Sequence, residues 1–144
     1  MSNQATLTKA EALQLNPVTL AFLGDAVYSL WVRRNLALTG GNRVSELQKS
    51  ATALESARGQ SELLDKILPL LTDEEEEIFR RGRNAKKATK SKHASVGEYN
   101  RSTGLEAVIG FLHITGDNAR IDELLSVIDK ERLLPQKNHT AYKP

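Results

Sequence analysis

Helix-starting signals recur along this chain and strand signals do not, which restricts the fold to helices packed on helices. Thr8 followed by Glu11 has capping-box spacing, in which each side chain accepts a hydrogen bond from the other residue's backbone N–H. It predicts a short helix through about Leu15. Asn16 and Pro17 open a second helix, because proline's fixed φ suits the first turn and its missing N–H is not needed there. That helix carries Leu20, Phe22, Leu23, Val27, Leu30 and Trp31 and is expected to end near Gly40 and Gly41. Being apolar on most faces, it is expected to be the buried central helix. Asn42 is placed to cap a third helix, with Val44, Leu47, Ala51 and Leu54 recurring at three and four. The pattern continues, past a break expected at Gly59, through Leu63, Leu64, Ile67 and Leu68 to Pro69. Thr72 and Glu75 repeat the capping box, and the acidic run Asp73 to Glu77 falls in a first turn, where the helix dipole favours negative charge. We prefer that structural reading of the run to a metal site. Ile78 and Phe79 are the core contacts of this helix. A penultimate helix is expected from about Tyr99 to Ile114, a turn at Thr115 to Asp117, and a last helix burying Ile121, Leu124, Leu125 and Ile128. No stretch sustains a strand's alternation of apolar and polar residues, so the chain reads as all-α, without internal repeats and with a frayed tail from about Leu133.

A length of 144 residues implies one domain, spanning 1–144. With 40% hydrophobic and 26% charged residues it can bury a core, which excludes disorder throughout. No apolar run approaches the ~20 residues needed to cross a bilayer, and the first residues lack a basic stretch followed by an apolar one. Neither a membrane protein nor a secreted one is expected. The absence of cysteine excludes a disulfide framework, thiolate metal sites and a cysteine nucleophile, and fits a reducing cytoplasm. His93 and His113 have no second ligand at metal spacing and read as surface or packing residues, while Tyr28 and Trp31 read as core.

The charge is unevenly placed. Arg80, Arg81, Arg83, Lys86, Lys87, Lys90 and Lys92 follow one another with no acid before Glu98. Without those seven positive charges the formal net charge of +2 becomes −5. Residues 80 to 98 have almost no apolar content and read as a mobile basic loop with short helical ends. An acidic body with one basic segment suits a protein that meets a polyanion at one place, although charge runs are also found as plain solvated loops. Two carboxylates lie where apolar residues are expected: Asp25 in the second helix and Glu106 in the penultimate one. Each either sits on a solvated stripe or has a partner, since a lone buried carboxylate costs several kcal/mol. Gly24 beside Asp25, and Gly110 one turn after Glu106, allow the two backbones to approach and the acids to meet. Oxygen-only ligation at such a crossing suits a hard divalent ion such as Mg²⁺.

Three segments then carry a resemblance: Phe22-Leu-Gly-Asp-Ala-Val27, Arg81-Gly-Arg-Asn-Ala85 and Ser102-Thr-Gly-Leu-Glu-Ala-Val-Ile-Gly110. In this order and spacing, over about residues 16 to 130, the chain resembles the catalytic domain of the ribonuclease III family. It is most similar to the short bacterial subclass, Mini-ribonuclease III, which lacks a separate domain for binding double-stranded RNA. The resemblance implies an all-helical catalytic domain, a homodimer, and Mg²⁺-dependent cleavage of double-stranded RNA. For the subclass it implies maturation of the large-subunit (23S) ribosomal RNA precursor. Longer members carry Glu-x-x-Glu-x-x-x-Asp, where this chain has Val18, Ala21 and Asp25, and Asp-x-x-Glu, where it has Thr103 and Glu106. Only the last acid of each signature is kept, which looks like the subclass pattern. Asp25 and Glu106 are therefore the expected catalytic and Mg²⁺-binding residues. Arg81, Arg83, Lys86, Lys87, Lys90 and Lys92 are the expected contacts to A-form RNA, recognised by its shape, phosphates and 2′-hydroxyls. The alternative is a non-catalytic double-stranded-RNA-binding module on the same fold.

Overall fold

The computed structural model describes residues 5–39, 43–86 and 95–128. The expected tail from Leu133, the glycines at 40 and 41, Asn42, Lys87, Lys90, Lys92 and His93 lie outside the described residues. Within them the chain forms seven α-helices and no strand: α1 (Lys9–Leu13), α2 (Pro17–Leu38), α3 (Val44–Glu55), α4 (Ala57–Ile67), α5 (Asp73–Asn84), α6 (Val96–Ile114) and α7 (Asn118–Leu125). A single 3₁₀ turn, Leu68–Leu70, joins α4 to α5. The helix starts follow the expected capping residues except at α3, whose N-cap position is Arg43, not Asn42, and carries no side-chain cap. Thr8 and Thr72 form reciprocal boxes with Glu11 and Glu75, and Asn16 Oδ1 accepts from the Val18 N–H at 2.8 Å with Pro17 in the first turn. Ser95 and Glu98 supply a further box, so α6 starts three residues before the position expected from its apolar pattern. Gly116, at φ 85°, makes the turn between α6 and α7.

Three expectations are corrected. The central helix is α6, not α2: α6 packs against α1, α2, α4, α5 and α7, and from Ser102 to Leu112 every residue but Glu106 is buried. Helix α2 buries a single stripe, Leu20, Ala21, Gly24, Tyr28, Val32 and Leu36, and leaves Phe22 83% and Leu30 66% exposed on its outer side. An all-round apolar pattern cannot distinguish burial on every side from an apolar face left open. The break between α3 and α4 falls at Ser56, not Gly59. Ser56 is extended and its Oγ caps the Gly59 N–H at 3.0 Å, whereas Gly59 is helical and packs against α3: a Cβ there would lie 1.9 Å from the Ala53 carbonyl oxygen. The basic segment does not begin as a loop. Arg80, Arg81 and Arg83 belong to α5, where positive side chains favour a helix C-terminus, and buried Gly82 holds that end against α6.

The acidic start of α5 is structural, as expected. Glu75 is 4% exposed and accepts two hydrogen bonds from Arg120 of α7, at 2.9 Å from Nε and 2.8 Å from Nη2, while Nη2 also reaches the Leu70 carbonyl at 2.7 Å. Burial pushes the Glu75 carboxyl up, but the Arg120 guanidinium and the Thr72 cap outweigh it and hold it below its ordinary value. Tyr28 is a core residue whose hydroxyl donates to the Leu54 carbonyl at 2.7 Å, and His113 lies on the surface beside Asn118.

Candidate functional site

The α2–α6 crossing brings the two apolar-helix acids together. A Cβ on Gly24 would stand 1.7 Å from the Glu106 carbonyl oxygen, and one on Gly110 would stand 1.9 Å from that of Leu20. Only glycine lets the two main chains touch at these positions. Asp25 follows Gly24 and Glu106 lies one turn before Gly110, so the approach of the backbones carries their carboxyls into contact. Asp25 is exposed because the outer side of α2 is open, and Glu106 is half-buried; of the two readings open for these acids, a solvated stripe or a partner, Asp25 has both and Glu106 the partner.

Burial and then the neighbouring Asp25 push the Glu106 carboxyl up to about 9, while a hydrogen bond from Gln60 acts in the opposite direction. Two acids held in contact with one of them partly withdrawn from water form a pair that a cation relieves. The donor set is oxygen only, which fits a hard divalent ion that keeps several of its own waters. Among the described residues no group of three or more His, Asp or Glu side chains is placed to hold a metal, and Asp25 and Glu106 are the pair of carboxyls that the α2–α6 crossing brings together. The positions where longer ribonucleases III have further acids add no charge. Val18 is half-buried, Ala21 and Thr103 are buried, and the Thr103 hydroxyl donates to the Tyr99 carbonyl at 3.0 Å within α6.

Gln60 of α4 was not anticipated as part of this constellation. Its Nε2 donates to Glu106 Oε2 at 3.2 Å and to the Glu55 carbonyl at 3.1 Å. The signal was present in the sequence: Gln60 stands on the stripe Gln60, Leu63, Leu64, Ile67 that α4 buries, a polar residue at a core position like the acids themselves.

The basic end of α5 sits against the same stretch of α6. A Cβ on Gly82 would meet the Ala107 Cβ at 2.8 Å and the Gly104 Cα at 3.0 Å, the neighbours of Leu105 and Glu106. Arg81 and Arg83 flank that contact on either side. Arg81 Nη2 reaches the Leu15 carbonyl at 3.5 Å, the Arg83 guanidinium lies 5.6 Å from the centre of the Phe79 ring, and Lys86 is exposed. The remaining expected contacts, Lys87, Lys90 and Lys92, fall outside the described residues.

Residues 18–117 match the model of the Ribonuclease III domain. The chain is 46% identical over 114 residues to Mini-ribonuclease 3 of Streptococcus pneumoniae, covering 78% of this chain and 89% of that one. The corresponding protein of a Thermoanaerobacter species is 39% identical over 127 residues, covering 88% and 89%. The chain belongs to the Mini-ribonuclease III branch of the ribonuclease III family. A crystal structure of a Fusobacterium nucleatum protein has the same fold, with a TM-score of 0.75 and 32% identity over 81% of this chain and 95% of that one. Members of the ribonuclease III family are endoribonucleases that act on double-stranded RNA and are generally metal-dependent, and this chain is such an endoribonuclease. Among the described residues no helix is long and apolar enough to cross a membrane.

Proposed function

We propose that Asp25 and Glu106 together hold Mg²⁺ and form the catalytic centre at which double-stranded RNA is cut, and that the natural substrate is the precursor of large-subunit (23S) ribosomal RNA. The observation that carries this reading is the contact of the two carboxyls across the α2–α6 crossing. A bound ion supplies activation of water and neutralisation of the charge that develops on the phosphate and the leaving oxygen. The chain's own contribution is to place two carboxyls at one point, where a cation would favour their ionised forms, and to leave Asp25 open to solvent and substrate. Arg81 and Arg83 on the adjoining end of α5, Lys86 just after it, and Lys87, Lys90 and Lys92 further along the sequence are the cations for the phosphates of a duplex, whose bases are hidden in its deep groove.

A second copy of the chain completes the enzyme in this reading, because a duplex has two strands and one site cuts one of them. Support comes from the outer side of α2, where Phe22 and Leu30, two turns apart, are exposed on the helix that carries Asp25. Exposed large apolar side chains aligned on one helix mark an interaction face. The decisive experiment incubates duplex RNA with wild-type protein, Asp25→Asn and Glu106→Gln, in Mg²⁺ and in EDTA. Cleavage is expected only from wild-type protein with Mg²⁺, and RNA binding is expected from all three. Cleavage by either variant at the wild-type rate would remove that residue from the centre.

A further inference from the structure

Gln60 is 2% exposed, and the ways its amide is used are unequal. Both contacts fall on the nitrogen: one to the Glu55 carbonyl, at the junction of α3 and α4, and one to Glu106 Oε2. Its oxygen, Oε1, is the buried side-chain polar atom left without a hydrogen-bond partner among the described residues. A buried amide that leaves one end unsatisfied calls for a reason, since buried polar groups are paired as a rule.

The Glu55 carbonyl provides it. A backbone carbonyl accepts at every pH, so the atom facing it has to be a donor. Reversing the amide would set its oxygen against both that carbonyl and the Glu106 carboxylate, two acceptors. The α3–α4 junction therefore dictates which end of Gln60 meets Glu106, and the orphaned Oε1 is the consequence. We propose that Gln60 is a positioning residue, locked by the Glu55 carbonyl, that holds one oxygen of the Glu106 carboxylate and so fixes how that carboxylate is presented to the divalent ion. This rests on the reading of Asp25 and Glu106 as the ion's ligands. Partners of ligating carboxylates act in this way, and their loss typically costs about 10- to 100-fold in metal affinity or activity.

The test is a titration of Mn²⁺ alone into wild-type protein and Gln60→Met, which keeps the side chain's length and apolar body without a donor, with free ion followed by electron paramagnetic resonance. Thermal melts establish that the variant is folded. The Mn²⁺ dissociation constant is expected to rise roughly 10-fold or more in Gln60→Met. In parallel cleavage assays the Mg²⁺ concentration for half-maximal rate should rise, with a smaller loss at saturating Mg²⁺ than Glu106→Gln shows. Folded Gln60→Met that binds Mn²⁺ as tightly as wild type overturns the role of Gln60 and leaves the two-carboxylate reading standing. Wild-type protein that binds no Mn²⁺ overturns both. Should Gln60→Met fail to fold, the Gln60 side-chain amide of the wild-type protein is read directly by nitrogen-15 NMR. Its protons are expected to exchange slowly and to shift on addition of Mg²⁺. Rapid exchange without a shift overturns the inference.

Discussion

Replacing Glu106 by glutamine should abolish cleavage and at the same time make the metal-free protein more stable. The side chain keeps its shape. Its oxygen still accepts from Gln60, and its new N–H faces Asp25, turning a contact between two acids into a hydrogen bond. The gain follows from the position of the Glu106 carboxyl, which burial and Asp25 push from an ordinary 4.5 up to about 9. A group whose folded pKa is raised stabilises the fold fully below its unfolded value, and that contribution is lost as pH rises toward the folded value. The wild-type protein in EDTA should therefore lose stability between about pH 5 and 9, and Glu106→Gln should not. At pH 7.5 the difference from 4.5 is three units, and at 1.36 kcal/mol per unit the ceiling is about 4 kcal/mol. Because Asp25 is exposed, water screens part of the repulsion, and about 1–3 kcal/mol is the expected effect. For a chain of this size that is roughly 3–10 °C in melting temperature. Calorimetric melts of both proteins across this pH range in EDTA give the comparison directly. Added Mg²⁺ should restore the wild-type protein and leave the variant unmoved. Parallel melting curves for the two proteins from pH 5 to 9 would refute the reasoning, since Glu106 would then bear no charging cost in the fold.

Gly110→Ala places a Cβ 1.9 Å from the Leu20 carbonyl oxygen and has to push α2 away from α6, so denaturant titration should show a loss of about 3 kcal/mol or more, with cleavage falling too. Arg120→Met strands the buried Glu75 carboxylate and should cost about 3–5 kcal/mol at neutral pH by the same measurement. Exchanging Arg81, Arg83 and Lys86 for glutamine should weaken binding to every duplex and lower the slope of log affinity against log salt by roughly 0.7–0.9 for each phosphate no longer engaged; an unchanged slope returns them to a solvated role.

The helix starts were legible because a cap is a local device: Thr8, Asn16 and Thr72 needed nothing beyond the next three residues. The meeting of Asp25 and Glu106, eighty-one positions apart, was also legible, because each acid stood with a glycine in an apolar run and glycine signals close approach. What stayed hidden depended on which side of a helix is covered. Phe22, Leu30 and the exposed Asp25 lie on a face that the sequence cannot tell from the buried stripe of α2, so α6 was not recognised as the centre. In the sequence a glycine at 59 looks like a break, whereas in the structure it is a packing contact, since both uses require the same missing Cβ. Gln60 is visible in the sequence as a polar residue on the buried stripe of α4, but its partners, the Glu55 carbonyl and Glu106, are set by packing that the sequence does not spell out.

The backbone contact at Gly24 and Gly110 has a consequence for how such an enzyme can change over time. Where two helices meet through side chains, each substitution in the interface alters their separation, and any site spanning them drifts with it. Here main chain rests on main chain, so the spacing of the two carboxyls is set by atoms that every sequence shares. Leucines and valines elsewhere in the core are then free to exchange, generation after generation, without retuning the pair of carboxyls proposed to hold the ion. Divergence in the hydrophobic interior and constancy of the chemistry become compatible, with two glycines as the fixed points.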